Sequence, residues 1–238
     1  MNFGKKQIHK VASDLDGTLT NSLDVYAWSH NITLASLGAK LPCREKEFRM
    51  QFFSKNPNKR FRDYIQHTID TFGLGVTIDE YKALLDKTSQ QMISTQSEYK
   101  CGAEDIIKFS QMMGVPFGLA TNSGNEAVNN MAQAPAIKNS RAPFESFDYR
   151  VTRDDVQRKK PAGDIYRKAM GSTKAIHTLV LEDNVKGMTA ALRAGIPKSN
   201  IVGVYDAYNK HDIVNIRKSC GMFIEHFDQL KDALEKSN

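Results

Sequence analysis

The sequence predicts an α/β fold in which a parallel sheet core carries an inserted helical domain. Three short apolar runs, VPFGLA at 115–120, HTLVL at 177–181 and NIVGVY at 200–205, have the length and composition of buried strands. Helical patterns separate each run from the next, which is the alternation that a parallel sheet requires. A short run around Val11 would supply the first strand of this sheet.

The segment from about residue 22 to residue 100 has the pattern of helices. The stretch IDEYKALLDKTSQQMI places five residues on one face at helical spacing, namely Tyr81, Leu84, Leu85, Thr88 and Met92. Breaks at SKNPNKR and FGLGVTID divide the segment into about four helices. We therefore expect residues 1–20 and 101–238 to form a Rossmann-like catalytic core, and residues 21–100 to form a helical cap inserted after the first strand.

Helix punctuation in the second half of the chain favours the same arrangement. Pro161 suits the first position of a helix that follows Lys160. Gly195 and Pro197 suit the end of a helix that begins near Lys186. Helices of this kind would connect the predicted strands.

The composition is that of an ordinary globular protein, with 40% hydrophobic and 25% charged residues among 238. The longest apolar runs are too short to span a bilayer, and MNFGKKQIHK lacks the apolar segment of a signal peptide. The three cysteines, Cys43, Cys101 and Cys220, are widely spaced, which argues against a disulfide framework or a C-x-x-C metal site. We expect a cytoplasmic monomer or homodimer that binds no membrane.

Positive charge is concentrated between residues 40 and 62. The stretch holds eight basic residues against two acidic ones, a net charge of +6 that equals that of the whole chain. A solvated helical face explains such a run, and attraction of an anionic substrate is the functional alternative. Nucleic-acid binding ranks below both, because the stretch has no recognisable binding motif and the rest of the chain is not basic. We therefore expect no nucleic-acid partner. If the stretch faces the active site, the substrate contacts would be the residues that flank the Asn56-Pro57 break, which are Lys55, Lys59 and Arg60.

Polar residues follow the predicted strands at their carboxyl ends. Asp14 and Asp16 follow the first strand, Thr121 and Asn122 follow the second, and Glu182 and Asp183 follow the third, while Lys160 stands at a predicted helix start. Taken one at a time, these residues also suit turns, helix caps and solvated surfaces. Together, they are expected to meet at one edge of the sheet, where open α/β sheets bind their ligands.

This ordered set resembles the haloacid dehalogenase superfamily of phosphotransferases. The four motifs of that superfamily appear here as DLDGT, LATNS, KKPAGDIYRKA and LEDNVKGMTAALRAG, and the helical insert is similar to its first-type (C1) cap. The stretch from VPFGLATNS to GDIYRKA is most similar to the branch that contains pseudouridine-5′-phosphatase, glycerol-1-phosphatase and β-phosphoglucomutase-like enzymes. Asn21, Gly163 and Asn184 depart from the usual aspartate, proline and serine, and none of these changes removes a reacting group.

The resemblance implies a Mg²⁺ site and a covalent mechanism. Asp14 would be the nucleophile and a metal ligand, Asp183 the second carboxylate ligand, and Asp16 a ligand through its backbone carbonyl. Glu182 would bind the ion directly or through water. Oxygen ligands of this kind suit Mg²⁺, which offsets the negative charge that a phosphate ester and an attacking carboxylate bring together.

The resemblance also assigns roles to the remaining residues of the motifs. Lys160 would supply a fixed positive charge, and the Thr121 hydroxyl would donate to the phosphoryl group. The side chain of Asp16 would protonate the leaving oxygen and later accept a proton from water. The further substrate-binding positions are Gly17, Thr18 and Asn122.

The implied function is that of a Mg²⁺-dependent phosphatase that acts on a small phosphorylated metabolite. A sugar phosphate, a polyol phosphate and a nucleotide monophosphate all remain open as substrates. A β-phosphoglucomutase-like mutase is the main alternative, because it would share every core residue. A binding protein that has this fold without catalysis is the alternative from another class.

Overall fold

A computed structural model of the chain describes residues 1–41, 45–56 and 59–238. Its strands are β1 (Asn2–Phe3), β2 (Lys6–Gln7), β3 (Lys10–Ser13), β4 (Phe117–Ala120), β5 (Tyr149–Val151), β6 (Thr178–Glu182), β7 (Ile201–Val204) and β8 (Met222–Ile224). Strands β3 to β8 form one parallel sheet in the order β5-β4-β3-β6-β7-β8, and β1 pairs with β2 in a small antiparallel hairpin. The predicted α/β class with a parallel sheet is confirmed.

The α-helices divide into a group inserted after β3 and a group that alternates with the later strands. The inserted helices are α1 (Ser22–Ser36), α2 (Glu45–Lys55), α3 (Phe61–Phe72) and α4 (Ile78–Gln96). The remaining helices are α5 (Ala103–Met112), α6 (Asn125–Ala132), α7 (Pro135–Lys138), α8 (Asp164–Met170), α9 (Val185–Arg193), α10 (Ile213–Ser219) and α11 (Phe227–Glu235). Within the described ranges, no helix has both the length and the apolar composition needed to cross a membrane.

The sheet is buried on both faces. Successive residues of a strand point to opposite faces of the sheet, and neighbouring residues of β3 belong to different apolar clusters. Val11 belongs to one apolar cluster, together with residues of α5 and α11. Ala12, the next residue, belongs to a second cluster with residues of α8 and α9. This double burial explains why the strands read as continuous apolar runs in the sequence.

The helix start predicted at Pro161 is wrong, since α8 begins three residues later at Asp164. Lys160, just before the proline, is held in a loop by Asn122, whose side chain bonds to both of its backbone groups. The Lys160 N–H donates to Asn122 Oδ1 over 2.9 Å, and Asn122 Nδ2 donates to the Lys160 carbonyl over 3.3 Å. The helix end predicted near Gly195 is confirmed, because α9 ends at Arg193 and Gly195 adopts a φ of 90°.

The inserted helices have an apolar interior of their own. Leu34 of α1, Ile65 and Ile69 of α3, and Tyr81 and Leu85 of α4 pack together there. The predicted apolar face of α4 is correct in part, since its residue at position 84 is 38% exposed. Among the basic residues between 40 and 62, the one at position 44 lies outside the described residues, as does the proline of the predicted break at 56–57.

Two linkers join the inserted helices to the sheet, and hydrogen bonds tie them together. The Asn21 N–H donates to the Glu98 carbonyl over 3.1 Å, and the Glu98 N–H donates to Asn21 Oδ1 over 3.0 Å. The next residues continue this pairing, because the Lys100 N–H donates to the Leu19 carbonyl over 2.8 Å. The linkers are paired next to the loop that follows β3, and residues of the inserted helices line one cavity with Asn122 and Ser123 at the carboxyl edge of the sheet. The exact limits of a core and a cap stay a prediction.

Candidate active site

The carboxyl ends of three adjacent strands bring the predicted site residues together. Asp14 follows β3, Thr121 follows β4, and Glu182 ends β6, with Asp183 next to it. Because β4, β3 and β6 are neighbours in the sheet, these side chains share one edge. Lys160 reaches the same edge from the loop before α8.

Lys160 lies between two carboxylates. Its Nζ atom is 2.6 Å from Asp14 Oδ1 and 2.6 Å from Glu182 Oε1. All three side chains are buried. Burial alone would lower the pKa of Lys160, but the charges of Asp14 and Glu182 raise that pKa above its ordinary value. The ammonium group is therefore a fixed positive charge beside Asp14.

Asp14, Glu182 and Asp183 form a buried acidic cluster. Each of them offers a carboxylate oxygen, and these oxygens all lie within 4.8 Å of one another. Burial, and then the charge of Asp14, raises the pKa of Asp183 well above its usual range. Burial also raises the pKa of Glu182 to about 7, although Lys160 acts against it. Glu182 Oε2 has no hydrogen-bond partner within the described residues. An unpaired oxygen in a set of carboxylates fits a small divalent cation such as Mg²⁺.

Three residues to which the sequence analysis assigned no role hold this cluster in place. Tyr166 donates from its hydroxyl to Glu182 Oε1. Asn184 and Asn209 donate to the two carboxylate oxygens of Asp183 over 2.8 and 2.5 Å. Tyr166 was visible in the motif that contains Lys160, but nothing in that motif indicates its partner. Asn209 follows β7, so the rule that ligand-binding residues follow strand ends could have found its segment.

The loop after β3 is fitted tightly against Asp183. Gly17 has a φ of 77°, and a Cβ atom at this position would lie 2.7 Å from Asp183 Oδ2. Any other residue would therefore be strained and would displace Asp183. The Thr18 hydroxyl lies 3.2 Å from Asp14 Oδ2 and 3.3 Å from Asp183 Oδ1. Lys100 binds the Gly17 carbonyl from the linker that returns from α4.

Asp16 is separate from the acidic cluster and has partners of its own. Ser22 and Ser123 donate hydroxyl hydrogen bonds to its two carboxylate oxygens. Burial, and then the charge of Asp14, raises the pKa of Asp16, although both serine hydrogen bonds oppose this change. A raised pKa brings a carboxyl group closer to the operating pH, which is what a general acid and base requires.

The second strand end carries Thr121 and Asn122. The Thr121 side chain is buried, and its hydroxyl oxygen accepts a hydrogen bond from the Ser123 N–H over 3.0 Å. This hydrogen bond does not use the hydroxyl proton of Thr121, which can be donated to another acceptor. Asn122 bonds to both backbone groups of Lys160, so its side chain positions the charged group of the site.

A cavity of about 590 Å³ lies between the inserted helices and the sheet edge. Its wall on the sheet side includes Asn122 and Ser123, which are bonded to Lys160 and Asp16. From the basic stretch, Arg49 lines this cavity. The structure does not bring the predicted cap residues to its lining. Those three residues are exposed, namely Lys55, Lys59 and Arg60.

The chain is similar to known proteins over most of its length. A family model described as haloacid dehalogenase-like hydrolase matches residues 11–201. The Protein CbbY of Cereibacter sphaeroides is 25% identical over 79% of this chain and 82% of its own. A probable pseudouridine-5′-phosphatase of Drosophila melanogaster is 28% identical over 82% of this chain and 83% of its own.

A solved structure has the same fold. It is a putative β-phosphoglucomutase from Thermotoga maritima, which has a TM-score of 0.75 and 19% sequence identity. The match covers 94% of this chain and 99% of that one. It therefore includes the inserted helices as well as the sheet.

Proposed function

Because the chain belongs to the family of haloacid dehalogenase-like hydrolases, we propose that it is a Mg²⁺-dependent phosphatase that works through an aspartyl phosphate. Its substrate would be a small phosphorylated metabolite, such as a sugar, polyol or nucleotide monophosphate. The 28% identical relative that is named a probable pseudouridine-5′-phosphatase supports this substrate class.

One observation carries the proposal. Asp14 is a buried carboxylate that is paired with Lys160 over 2.6 Å, in a cluster with two further carboxylates at the sheet edge. A purely structural cluster would gain little from a third carboxylate, because burying uncompensated charge costs stability. A divalent cation and an anionic substrate would balance these charges. Perturbed carboxyl groups beside a cavity are typical of an active site.

In the first half-reaction, a carboxylate oxygen of Asp14 forms a bond to phosphorus while the bond from phosphorus to the ester oxygen breaks. Asp14, Glu182 and Asp183 would hold Mg²⁺, which supplies positive charge where the phosphoryl group and the nucleophile meet. Lys160 keeps Asp14 oriented and offsets its charge. The Thr121 hydroxyl donates to a phosphoryl oxygen.

Asp16 acts as the general acid in the first half-reaction and as the general base in the second. It gives a proton to the leaving alkoxide, so that a neutral alcohol departs. It then takes a proton from the water that attacks the phosphorus of the aspartyl phosphate. The bond between phosphorus and Asp14 breaks, inorganic phosphate leaves, and the Asp14 carboxylate is restored. Ser22 and Ser123 hold the Asp16 carboxyl group in position throughout.

The test is phosphate release from p-nitrophenyl phosphate and from a panel of sugar, polyol and nucleotide monophosphates. We expect release with Mg²⁺, loss of release in excess EDTA, and recovery when Mg²⁺ is restored. Phosphate release that persists in EDTA would contradict the dependence on Mg²⁺. Isomerisation of a sugar phosphate without net phosphate release would identify a mutase instead. Absence of both activities across the panel would favour a binding protein.

A further inference from the structure

Two buried polar side chains line the cavity on the side of the inserted helices, and each of them has one atom without a hydrogen-bond partner. His30 of α1 and Glu45 of α2 both line the cavity, and each residue is only 2% exposed. Within the described residues, His30 Nδ1 and Glu45 Oε2 have no hydrogen-bond partner. Buried polar atoms are nearly always paired, so two unpaired atoms in one cavity indicate a ligand that completes them.

The other atoms of both groups are already held by tyrosines. The Tyr81 hydroxyl lies 3.2 Å from His30 Nε2, and the Tyr64 hydroxyl donates to Glu45 Oε1 over 3.2 Å. The Tyr64 ring also stacks on the imidazole of His30, with ring centroids 5.3 Å apart. Tyr64 therefore links His30 and Glu45, and we call the part of the cavity that these two residues line the recess. Their side chains are fixed before any ligand binds.

The hydrogen-bonding capacity of the recess favours a ligand group that both donates and accepts. Burial, and then the charge of Arg49, lowers the pKa of His30 to about 4, so its imidazole is neutral at neutral pH. The neutral ring offers one N–H and one acceptor nitrogen. A carboxylate or a second phosphate that is ionised could only accept hydrogen bonds, so it would not supply the donor that a carboxylate oxygen of Glu45 needs. A hydroxyl group can donate to Glu45 and accept from His30 through a single oxygen atom.

Helix α1 connects this recess to the reacting groups. Ser22, at its first turn, is hydrogen-bonded to Asp16, and His30 stands eight residues further along. Eight residues of α-helix span about 12 Å. Tyr26 lies between them and also lines the cavity. A substrate with its phosphate at Asp14 would therefore bring a distant part of the molecule to the recess, and not the carbon next to the ester oxygen.

We propose that His30 and Glu45 bind a hydroxyl group of the substrate, and that this substrate is a sugar or polyol monophosphate with several carbons between the ester and that hydroxyl. This inference rests on the proposed phosphatase function and deepens it. It makes hydroxylated esters the expected substrates, because one hydroxyl oxygen satisfies both unpaired atoms at once. It also means that residues of α1 and α2 determine substrate specificity.

The test compares two esters that have the same carbon chain, ribitol 5-phosphate and n-pentyl phosphate. Sites that bind a substrate hydroxyl reject analogues without it strongly, so the wild type should favour the ribitol ester in kcat/KM by about 100-fold or more. Glu45→Gln should reduce kcat/KM for the ribitol ester about 10-fold more than for the pentyl ester. The matched control is Glu47→Gln, which changes an exposed carboxylate on the same helix and should leave this ratio unaltered.

A second pair of variants distinguishes the loss of a substrate contact from a structural disturbance of the inserted helices. His30→Gln should reduce the preference for the ribitol ester, whereas His67→Gln, at an exposed histidine of α3, should keep it. Equal losses on both esters in Glu45→Gln and His30→Gln would overturn the inference. A wild-type preference for uridine 5′-monophosphate over ribitol 5-phosphate would overturn the assigned substrate class. Turnover of p-nitrophenyl phosphate separates the two proposals. If that ester is hydrolysed without any preference for hydroxyl groups, only this inference fails, and if no ester is hydrolysed, the phosphatase function fails too.

Discussion

The ammonium group of Lys160 lies 2.6 Å from a carboxylate oxygen of Asp14, and both side chains are buried. The same ammonium group contacts Glu182 at an equal distance. One cation therefore balances part of the charge of two carboxylates before any metal or substrate binds. This arrangement links the stability of the sheet edge to the chemistry that we propose for it.

Replacement of Lys160 by methionine should destabilise the protein most when divalent cations are absent. Removing one partner of a buried ion pair leaves uncompensated charge and costs about 3–5 kcal/mol in the free energy of unfolding. Mg²⁺ should restore part of this loss, because it would bind the same carboxylates in the folded state. Urea unfolding in EDTA and in Mg²⁺ measures both effects.

The control for that measurement is Lys159→Met, which changes the exposed neighbouring lysine. Surface substitutions of this kind usually stay within about 0.5 kcal/mol. If Lys160→Met and Lys159→Met destabilise the protein equally, the ion pairs of Lys160 contribute nothing to stability.

Asp14→Asn should reduce turnover by more than about a thousandfold while the protein stays folded, because the amide keeps the volume but is not a nucleophile. Steady-state phosphate release with Mg²⁺ measures the loss, and circular dichroism verifies the fold. A variant that retains the wild-type rate would exclude the covalent mechanism. In the wild type, beryllofluoride should form an adduct on Asp14 that a crystal structure can show.

Asp16→Asn should slow substrates with poor leaving groups more than activated ones. A positioned general acid contributes about 10²–10⁴-fold, and an alkoxide needs its proton far more than p-nitrophenolate does. The logarithm of kcat/KM across a series of aryl and alkyl phosphates should therefore depend more steeply on the pKa of the leaving group in the variant. Equal losses across the series would mean that Asp16 only shapes the loop after β3.

The residues of the sheet edge could be predicted from the sequence, because the carboxyl ends of parallel strands lie at the same edge of the sheet regardless of the length of the loops between them. The strands at β3, β4, β6 and β7 were visible as apolar runs. The edge strands β5 and β8 are only three residues long and carry little periodicity, so the sequence did not reveal them. Pro161 misled the prediction of α8, because its local preference for a helix start is overridden by the loop that Asn122 holds around Lys160.

The inserted helices show where sequence reasoning ends. The position of a side chain in the cavity depends on how helices pack, and local sequence does not determine this packing. Lys55 and Lys59 are exposed, whereas Arg49, in the same basic stretch, lines the cavity. His30 and Glu45 carry no motif, and their unpaired atoms become visible only in three dimensions.

Acid should destabilise the wild-type protein in part through His30. The pKa of this residue is lowered to about 4, against about 6.5 for an unfolded histidine. Between these values, the unfolded chain binds a proton that the folded chain does not, so stability falls as the pH decreases from about 6.5 to about 4. The contribution of His30 to this loss is about 3 kcal/mol.

His30→Gln should lack this contribution to acid destabilisation. The difference in unfolding free energy between wild type and variant should therefore shift by about 3 kcal/mol in favour of the variant between pH 7 and pH 4. Subtraction of the two proteins cancels the carboxyl groups that titrate in the same range, apart from the adjacent Glu45. His67→Gln serves as the reference, since it replaces an exposed histidine of the same group of helices. A constant difference across this pH range would show that His30 is not buried in its neutral form.

Substitutions in the basic stretch decide which of its residues reach the substrate. Arg49 lines the cavity and stacks over the ring of Phe61 at 5.5 Å, so its charge acts at short range. Arg49→Gln should raise KM for the best substrate about 10-fold with little change in kcat, as expected when binding energy is lost equally from the bound substrate and the transition state.

Alanine at Lys55, Lys59 and Arg60 together should act only through the long-range field, which salt screens over about 10 Å at 0.1 M. Kinetics at low and moderate ionic strength separate the two effects. The opposite result would be a higher KM for the triple variant at moderate salt and an unchanged KM for Arg49→Gln. It would show that the three exposed residues, and not Arg49, bind the substrate.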